Sequence, residues 1–326
     1  MNRLLLMVTL ALAALWAAWW FAGAWGIRRA VPAAIEAAAA EGWDVAYDEL
    51  SVSGFPNRFD TTLDDLDATG PNGWGWSGPF LQVFALSYRP NHLIAVFPPA
   101  HALRTPAGPV EIAADDLRAS VVLSPSTDPA LRRATVAGAA LRAGPVRSET
   151  AQVALREGDA ELTYDVALSA RDLRLDDVVR AGLGPLATLP ATIDSVTVDA
   201  AVLVDRRATL SAMQTRPPRL RELALRAARV GWGDVAVTAS GDLRVGRDGV
   251  LMGEMPLEVR GWRTLRPMLL AAVPPTQAIL LGAGLEGMAQ ADGDPDTIAV
   301  PLTFEGGTMR FGPLPLGPAP RLPPPR

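Results

Sequence analysis

Apolar residues run without a charged side chain from Leu4 to Trp25, and beyond Glu41 they break into short stretches that alternate with polar ones. The first pattern is long enough to cross a bilayer, which takes about 20 apolar residues in a helix. Arg3 precedes the run and Arg28 and Arg29 follow it. Trp16, Trp19, Trp20, Phe21 and Trp25 crowd its far end, as indoles do at a membrane interface. A cleaved signal peptide is the competing reading, because Ala22-Gly23-Ala24 fits a small-residue cleavage site. The length of the run and its aromatics favour an uncleaved anchor. Short N-terminal tails usually stay in the cytoplasm, so the body should face outward.

Val31 to Glu41 is Ala-rich and predicts a second, short helix, with Pro32 in its first turn and Gly42 at its end. Strand patterns begin at Trp43. Val45 to Val52 reads as a strand with a slip, and Gly54-Phe55-Pro56-Asn57 as a turn. Phe59, Thr61 and Leu63 alternate with Asp60, Thr62 and Asp64, the period of a half-buried strand. Phe80–Leu86 and His92–Phe97 are apolar on nearly every residue, as strands covered on both faces are. Further strands are predicted at 110–112, 117–123, 135–141, 152–155, 161–170, 192–204, 220–230, 234–240, 241–245, 255–259, 298–304 and 308–311. Helices are predicted at Leu175–Ala181, Leu265–Ala272 and Thr276–Met288. The fold class is mainly β with a few helices: extended, curved antiparallel sheet behind an N-terminal transmembrane helix. The domain reading is an anchor at 1–29, a β-rich body at 30–312 with a possible division near 185–190, and a Pro-rich tail at 313–326 without regular structure.

Composition narrows the chemistry. There is no Cys, which removes disulfides, thiolate metal sites and cysteine nucleophiles. All thirty basic residues are Arg, the net charge is −5, and the two signs are interspersed. No basic stripe points to nucleic acid. His92 and His101 lack the helical spacing of a zinc site and read as a turn and a loop histidine. The letters G-x-G-x-x-G occur at Gly73–Gly78 and Gly282–Gly287, but neither joins a strand to a helix it opens. Asp292-Gly293-Asp294-Pro295-Asp296 starts like a calcium loop, but the sixth and twelfth positions are Thr297 and Thr303. Asp64, Asp65 and Asp67 read as a solvated strand end. Trp74-Gly75-Trp76, Gly231-Trp232-Gly233 and Gly261-Trp262 either cover a β core and its turns or line an apolar surface. No residue is nominated as catalytic, cofactor-binding or metal-binding, and no cofactor is implied.

Two stretches carry a family resemblance: Gly42-Trp43 through Ser51-Val52-Ser53-Gly54-Phe55-Pro56-Asn57-Arg58-Phe59-Asp60, and Phe80 through Tyr88-Arg89-Pro90-Asn91-His92. With the anchor, they resemble the DUF2125 family of uncharacterised alphaproteobacterial membrane-associated proteins, across nearly the whole chain. The order of segments from Gly241 to Gly312 is similar to the end of AsmA-like proteins. That likeness implies an inner-membrane anchor, a β-sheet curled around an apolar groove, and a link to lipid transport.

The functional expectation is a non-enzymatic envelope protein. It is single-pass in the inner membrane through Leu4–Trp25, with its body in the periplasm. The body binds lipid or another apolar ligand, and other envelope proteins are further partners. The alternatives are a scaffold with a closed core and, behind it, an envelope hydrolase.

Overall fold

Strand follows strand through most of the chain, paired antiparallel throughout. The computed structural model describes residues 2–322 apart from residues 247, 272–274, 292–293 and 313. Internal contacts divide it into two units. One comprises Met1–Pro125 and Ala134–Gly144, the other Ser126–Arg133 and Pro145–Arg326.

The N-terminal unit begins with a single helix, α1 (Asn2–Ala40). The expected anchor and the expected short helix are therefore one rod, and the boundary placed at residue 29 falls inside it. Pro32 lies in its interior, where it cannot donate an N–H bond to the preceding turn. Gly42, at a φ of +89°, ends the rod, and the N–H groups of Gly42 and Trp43 return to the oxygens of Ala39 and Ala38. Eight strands follow: β1 (Asp44–Ala46), β2 (Glu49–Ser53), β3 (Arg58–Thr69), β4 (Gly75–Leu86), β5 (Arg89–Val96), β6 (Ala100–Thr105), β7 (Gly108–Ala113) and β8 (Asp116–Leu123). The slip read between Val45 and Val52 is the gap between β1 and β2, which pair with successive parts of β3. β3 pairs with β4. β4 then forks the ladder: residues 82–86 pair with β5, and residues 75–77 with β6. β5 leads to β8, and β6 to β7. β9 (Leu131–Ala143) closes that second branch through Ile112↔Ala143 and Ala113↔Arg142.

The C-terminal unit is a meander. β10 (Val146–Glu157), β11 (Thr163–Leu175), β12 (Thr192–Val204), β13 (Leu220–Trp232), β14 (Val235–Val245), β15 (Leu251–Arg260), β16 (Thr297–Glu305), β17 (Thr308–Phe311) and β18 (Leu314–Pro318) pair in sequence order. The interval 185–190, where a division was expected, lies in the connection between β11 and β12. These two strands pair along nearly their whole length. The segments 234–240 and 241–245 form one strand, β14. Gly241 keeps it continuous at a φ of +142°; a Cβ there would meet the Glu254 oxygen at 2.5 Å. α2 (Asp177–Gly182) is capped by Asp176, which accepts from the N–H groups of Val178 and Val179. α3 (Leu210–Thr215) follows β12.

α4 (Trp262–Ala271) and α5 (Pro275–Ala291) correspond to the two helices expected near the C-terminus; Ala272 lies outside the described residues. Trp262, Leu285 and Ala289 from these helices pack on Val259, Ile298 and Val300 of β15 and β16. They plug that part of the sheet with a dry cluster. The tail differs from expectation. β18 pairs with β17, and Ala319 is buried with Leu243, Val250 and Phe304. Pro315 and Pro318 are accommodated because β18 bonds on one side among the described strands, and an edge strand can spare donors on the other.

Candidate functional site

The site is built from the second half of α1 and one face of the sheet beside it. The register aligns Phe59 with Ala85, Thr61 with Val83, Leu63 with Leu81, and Ala85 with Leu93. Alternation then puts Phe59, Thr61, Leu63, Val83, Ala85 and Leu93 on a common face. α1 contributes Trp19, Gly23, Gly26, Ile27, Ala30 and Val31. Spacings of three and four place these residues on one stripe of the helix. Between stripe and face, with Pro90 also in its lining, lies a cleft of about 520 Å³. Its walls are almost entirely hydrocarbon. Its volume is that of a small-molecule site, roughly 300–1,000 Å³.

Glycine makes the space. Beyond the helix's own adjoining backbone, nothing lies within 4 Å of where a Cβ on Gly26 would stand. Gly23 serves the opposite purpose, because a Cβ there would lie 2.5 Å from the Phe59 ring. It lets helix and sheet close at one end of the cleft while Gly26 leaves it open. The closed end is a core in its own right: Trp20, Ala24, Val52 and Phe59 are buried together. The Trp20 ring stacks on Phe59 at 5.9 Å and meets Phe55 edge-on at 5.4 Å.

Hydrogen bonds hold helix and sheet in this relation. The indole N–H groups of Trp16, Trp19 and Trp20 donate to the backbone oxygens of Pro56, Ser87 and Arg58 at 3.1, 3.1 and 2.6 Å. The Arg28 guanidinium donates to the Val52 oxygen at 3.0 Å. These indoles, expected at a membrane interface, are thus tied to the body. The Arg29 guanidinium lies over the Trp25 ring at 4.4 Å.

The opposite face of the same strands carries a second hollow, of about 440 Å³, with cations at its margins. Phe84, Leu86, Ile94 and Val96 supply its apolar floor, and Arg58, Arg118 and His92 its polar edge. Phe80–Leu86 and His92–Val96 are mostly half-buried, with these two hollows on their two faces, and not sealed between layers as their composition suggested.

The remaining candidates fall elsewhere. His92 lies on β5, its Nε2 3.0 Å from the Ser120 hydroxyl. His101 lies on β6 and is buried, its Nδ1 3.1 Å from the Pro98 oxygen and its ring packed against Trp76 and Phe97. Both are strand residues, so the turn and loop readings are corrected. The segment Ala100–Thr105 lies between Pro98-Pro99 and Pro106 without clear alternation, yet it finds partners in β4 and β7. Among the described residues no group of three or more His, Asp or Glu is placed to hold a metal. Asp64, Asp65 and Asp67 sit within β3 and not at its end. Asp65 forms a kink at φ +51°, and Asp67 pairs with Arg104.

Gly73–Gly78 runs into β4, and Gly282–Gly287 lies inside α5. Asp292 and Gly293 are outside the described residues; Asp294 turns back to accept from Asp296 N–H and Thr297. Trp232 donates to the Pro190 oxygen at 2.7 Å at the turn leaving β13, and Trp262 is fully buried under α4. Among the described carboxylates whose titration departs clearly from the ordinary value, each is moved downward. Hydrogen bonds from Arg156 and then Arg226 lower Asp165; the Ser211 and Thr209 hydroxyls lower Asp128. Hydrogen bonding from Arg206 is the largest cause at Asp205, which is held at about 2.

Residues 20–320 match a family described as an uncharacterized protein conserved in bacteria, DUF2125, and the chain belongs to that family. The matched region opens at Trp20, so it includes the part of α1 that walls the cleft apart from Trp19. Comparison with curated proteins gives no match.

Proposed function

We propose that this DUF2125 protein is a non-enzymatic, single-pass inner-membrane protein whose periplasmic body holds a phospholipid acyl chain in the cleft between α1 and the sheet. The observation that carries this reading is the cleft itself. A nearly unbroken hydrocarbon lining borders α1, which among the described residues is the one helix apolar enough to span a bilayer. Burial of apolar surface is worth about 25 cal/mol per Å², which favours a chain of methylenes over water in such a space. The likeness of the C-terminal half to AsmA-like proteins points toward lipid as well.

Retention of α1 is part of the proposal. Cleavage after Ala24 would remove Trp20 and Ala24 from a four-residue core and withdraw three indole donors from the body. A signal peptide has no such structural debt. The absence of chemistry is also proposed. The shifted carboxylates are held ionised by arginines, hydroxyls and backbone N–H groups, whereas a general acid or base needs a pKa near the working pH.

The test is the lipid content of the full chain extracted in mild detergent, measured by mass spectrometry for the wild type and for Gly26→Leu. Lipid around the span is common to both proteins. Lipid in the cleft should be present in the wild type and lost when a leucine side chain fills the space. Equal lipid content in the two proteins would refute the assignment.

A further inference from the structure

The body grips α1 well before the apolar run ends. The run Leu4–Trp25 is about 33 Å long at roughly 1.5 Å per residue, close to the ~30 Å hydrocarbon thickness of a bilayer. All of it is needed for a span. Yet the first bond from helix to body is at Trp16, to the Pro56 oxygen. That is about 13 Å along the rod before Trp25. The stretch ahead of it, Leu4–Leu15, is only about 18 Å long and too short to cross alone.

We infer that the turn Gly54–Arg58 and the neighbouring turn at Ser87–Tyr88 sit inside the leaflet on the body's side of the membrane, beside the helix and below the headgroups. This rests on the reading of α1 as a retained span. The chemistry of the two turns fits hydrocarbon. Phe55 and Tyr88 are 54% and 60% exposed, and Phe21 stacks on Phe55 at 5.6 Å with 61% of its own surface exposed. On a body facing only water these rings form an apolar tip with nothing to cover it.

Backbone bonding fits too. In a bilayer each backbone polar group must find an internal partner. Here the oxygens of Pro56, Arg58 and Ser87 accept the three indole N–H groups. Asn57 oxygen accepts Ser87 N–H, Gly54 oxygen accepts Arg58 N–H, and the Ser87 hydroxyl donates to Pro56 oxygen. Ser87 is 1% exposed. Water-exposed turns are under no such demand. Of the two cations at this tip, Arg58 donates to Asp60 at 2.5 Å and lies over the Phe84 ring, and Arg89, next to Tyr88, is exposed, where its long side chain can reach the headgroups. The consequence for the cleft is direct. Its closed end, at Trp20 and Phe59, lies next to the buried turns, so the cleft stands at the membrane surface with its open part, around Gly26, farther along α1.

The absence of cysteine allows single-cysteine reporters in the full chain. Phe55→Cys and Tyr88→Cys test the two turns, and Trp74→Cys, 48% exposed and just before the other end of β4, is the aqueous control. Leu10→Cys reports the span. Each is labelled with an environment-sensitive fluorophore in phosphatidylcholine vesicles, then quenched by nitroxides on the acyl chains or by iodide in water. The inference predicts blue-shifted emission, acyl-chain quenching and lost iodide quenching at 55, 88 and 10, with the reverse at 74. Iodide quenching at 55 and 88 as strong as at 74, with Leu10 protected, would overturn the inference and leave the span intact. Iodide quenching at Leu10 as well would overturn the span itself.

Discussion

Trp20 donates its indole N–H to the backbone oxygen of Arg58 at 2.6 Å while its ring lies stacked on Phe59, the next residue. One side chain of the apolar helix thereby fixes both the backbone and the side-chain face of β3. Replacing it separates the two effects. Trp20→Phe keeps the stack and leaves the Arg58 oxygen unpaired, at a cost of about 1 kcal/mol. Trp20→Ala also opens a cavity, for about 3–5 kcal/mol in all. Thermal unfolding of the full chain in detergent, followed by near-ultraviolet circular dichroism, measures both. A tryptophan facing only lipid would give neither loss.

Gly23 and Gly26 should respond with opposite sign. An alanine at 23 drives its Cβ into the Phe59 ring, so Gly23→Ala lowers stability. An alanine at 26 meets nothing within 4 Å and removes the flexibility penalty of a helical glycine. Gly26→Ala should therefore stabilise by about 0.5–1 kcal/mol. The same unfolding measurement decides. Two changes of equal sign would show that the helix does not sit on the sheet as described.

Acid should weaken the C-terminal unit through Asp205. Hydrogen bonding by Arg206 is the main cause of its low titration, with the Arg219 N–H and the Arg221 charge adding to it and burial opposing it. The folded carboxyl titrates at about 2, below its ordinary 3.8. Its contribution is therefore complete above the ordinary value and is lost as pH falls through the folded one. Asp205→Asn should cost about 1.5 kcal/mol at neutral pH and flatten the loss across that acid window. Urea midpoints at neutral pH and within the window provide the comparison.

Trp262 and Trp232 look alike in sequence, each beside glycine, but do different work. Trp262 is completely buried between α4, α5 and β16, and Trp262→Ala should cost about 3–5 kcal/mol. Trp232 is half-buried and holds one bond to the Pro190 oxygen, so Trp232→Phe should cost about 1 kcal/mol. Heat denaturation of both variants tests the ranking.

Most of the strand ladder was legible because half-buried strands announce themselves by alternation. β12 and β17 run over the very residues their patterns mark. What escaped lacked a period or depended on distant residues. β6 is bounded by prolines, and its His101 is buried only because Trp76 and Phe97 surround it. α3 is six residues long, too short to show a 3.6-residue repeat. The cleft was hidden for a different reason. Gly23 lies within a plausible cleavage site, and that reading masks the stripe Trp19, Gly23, Gly26, Ala30. Its spacing of four, three and four was present in the chain, but only β3, β4 and β5 show what the stripe faces.

The most direct measurement of the account uses a phospholipid carrying a photoactivatable diazirine midway along one acyl chain, incorporated in vesicles with the full chain. After irradiation, cross-linked residues are located by peptide mass spectrometry. Residues Leu4–Leu15 of α1 face lipid in any anchored arrangement and decide nothing. The account predicts additional adducts on the sheet wall of the cleft, at Thr61, Leu63, Val83 and Leu93, and their disappearance in Gly26→Leu. Adducts confined to α1, with none on those strand residues in the wild type, would contradict it.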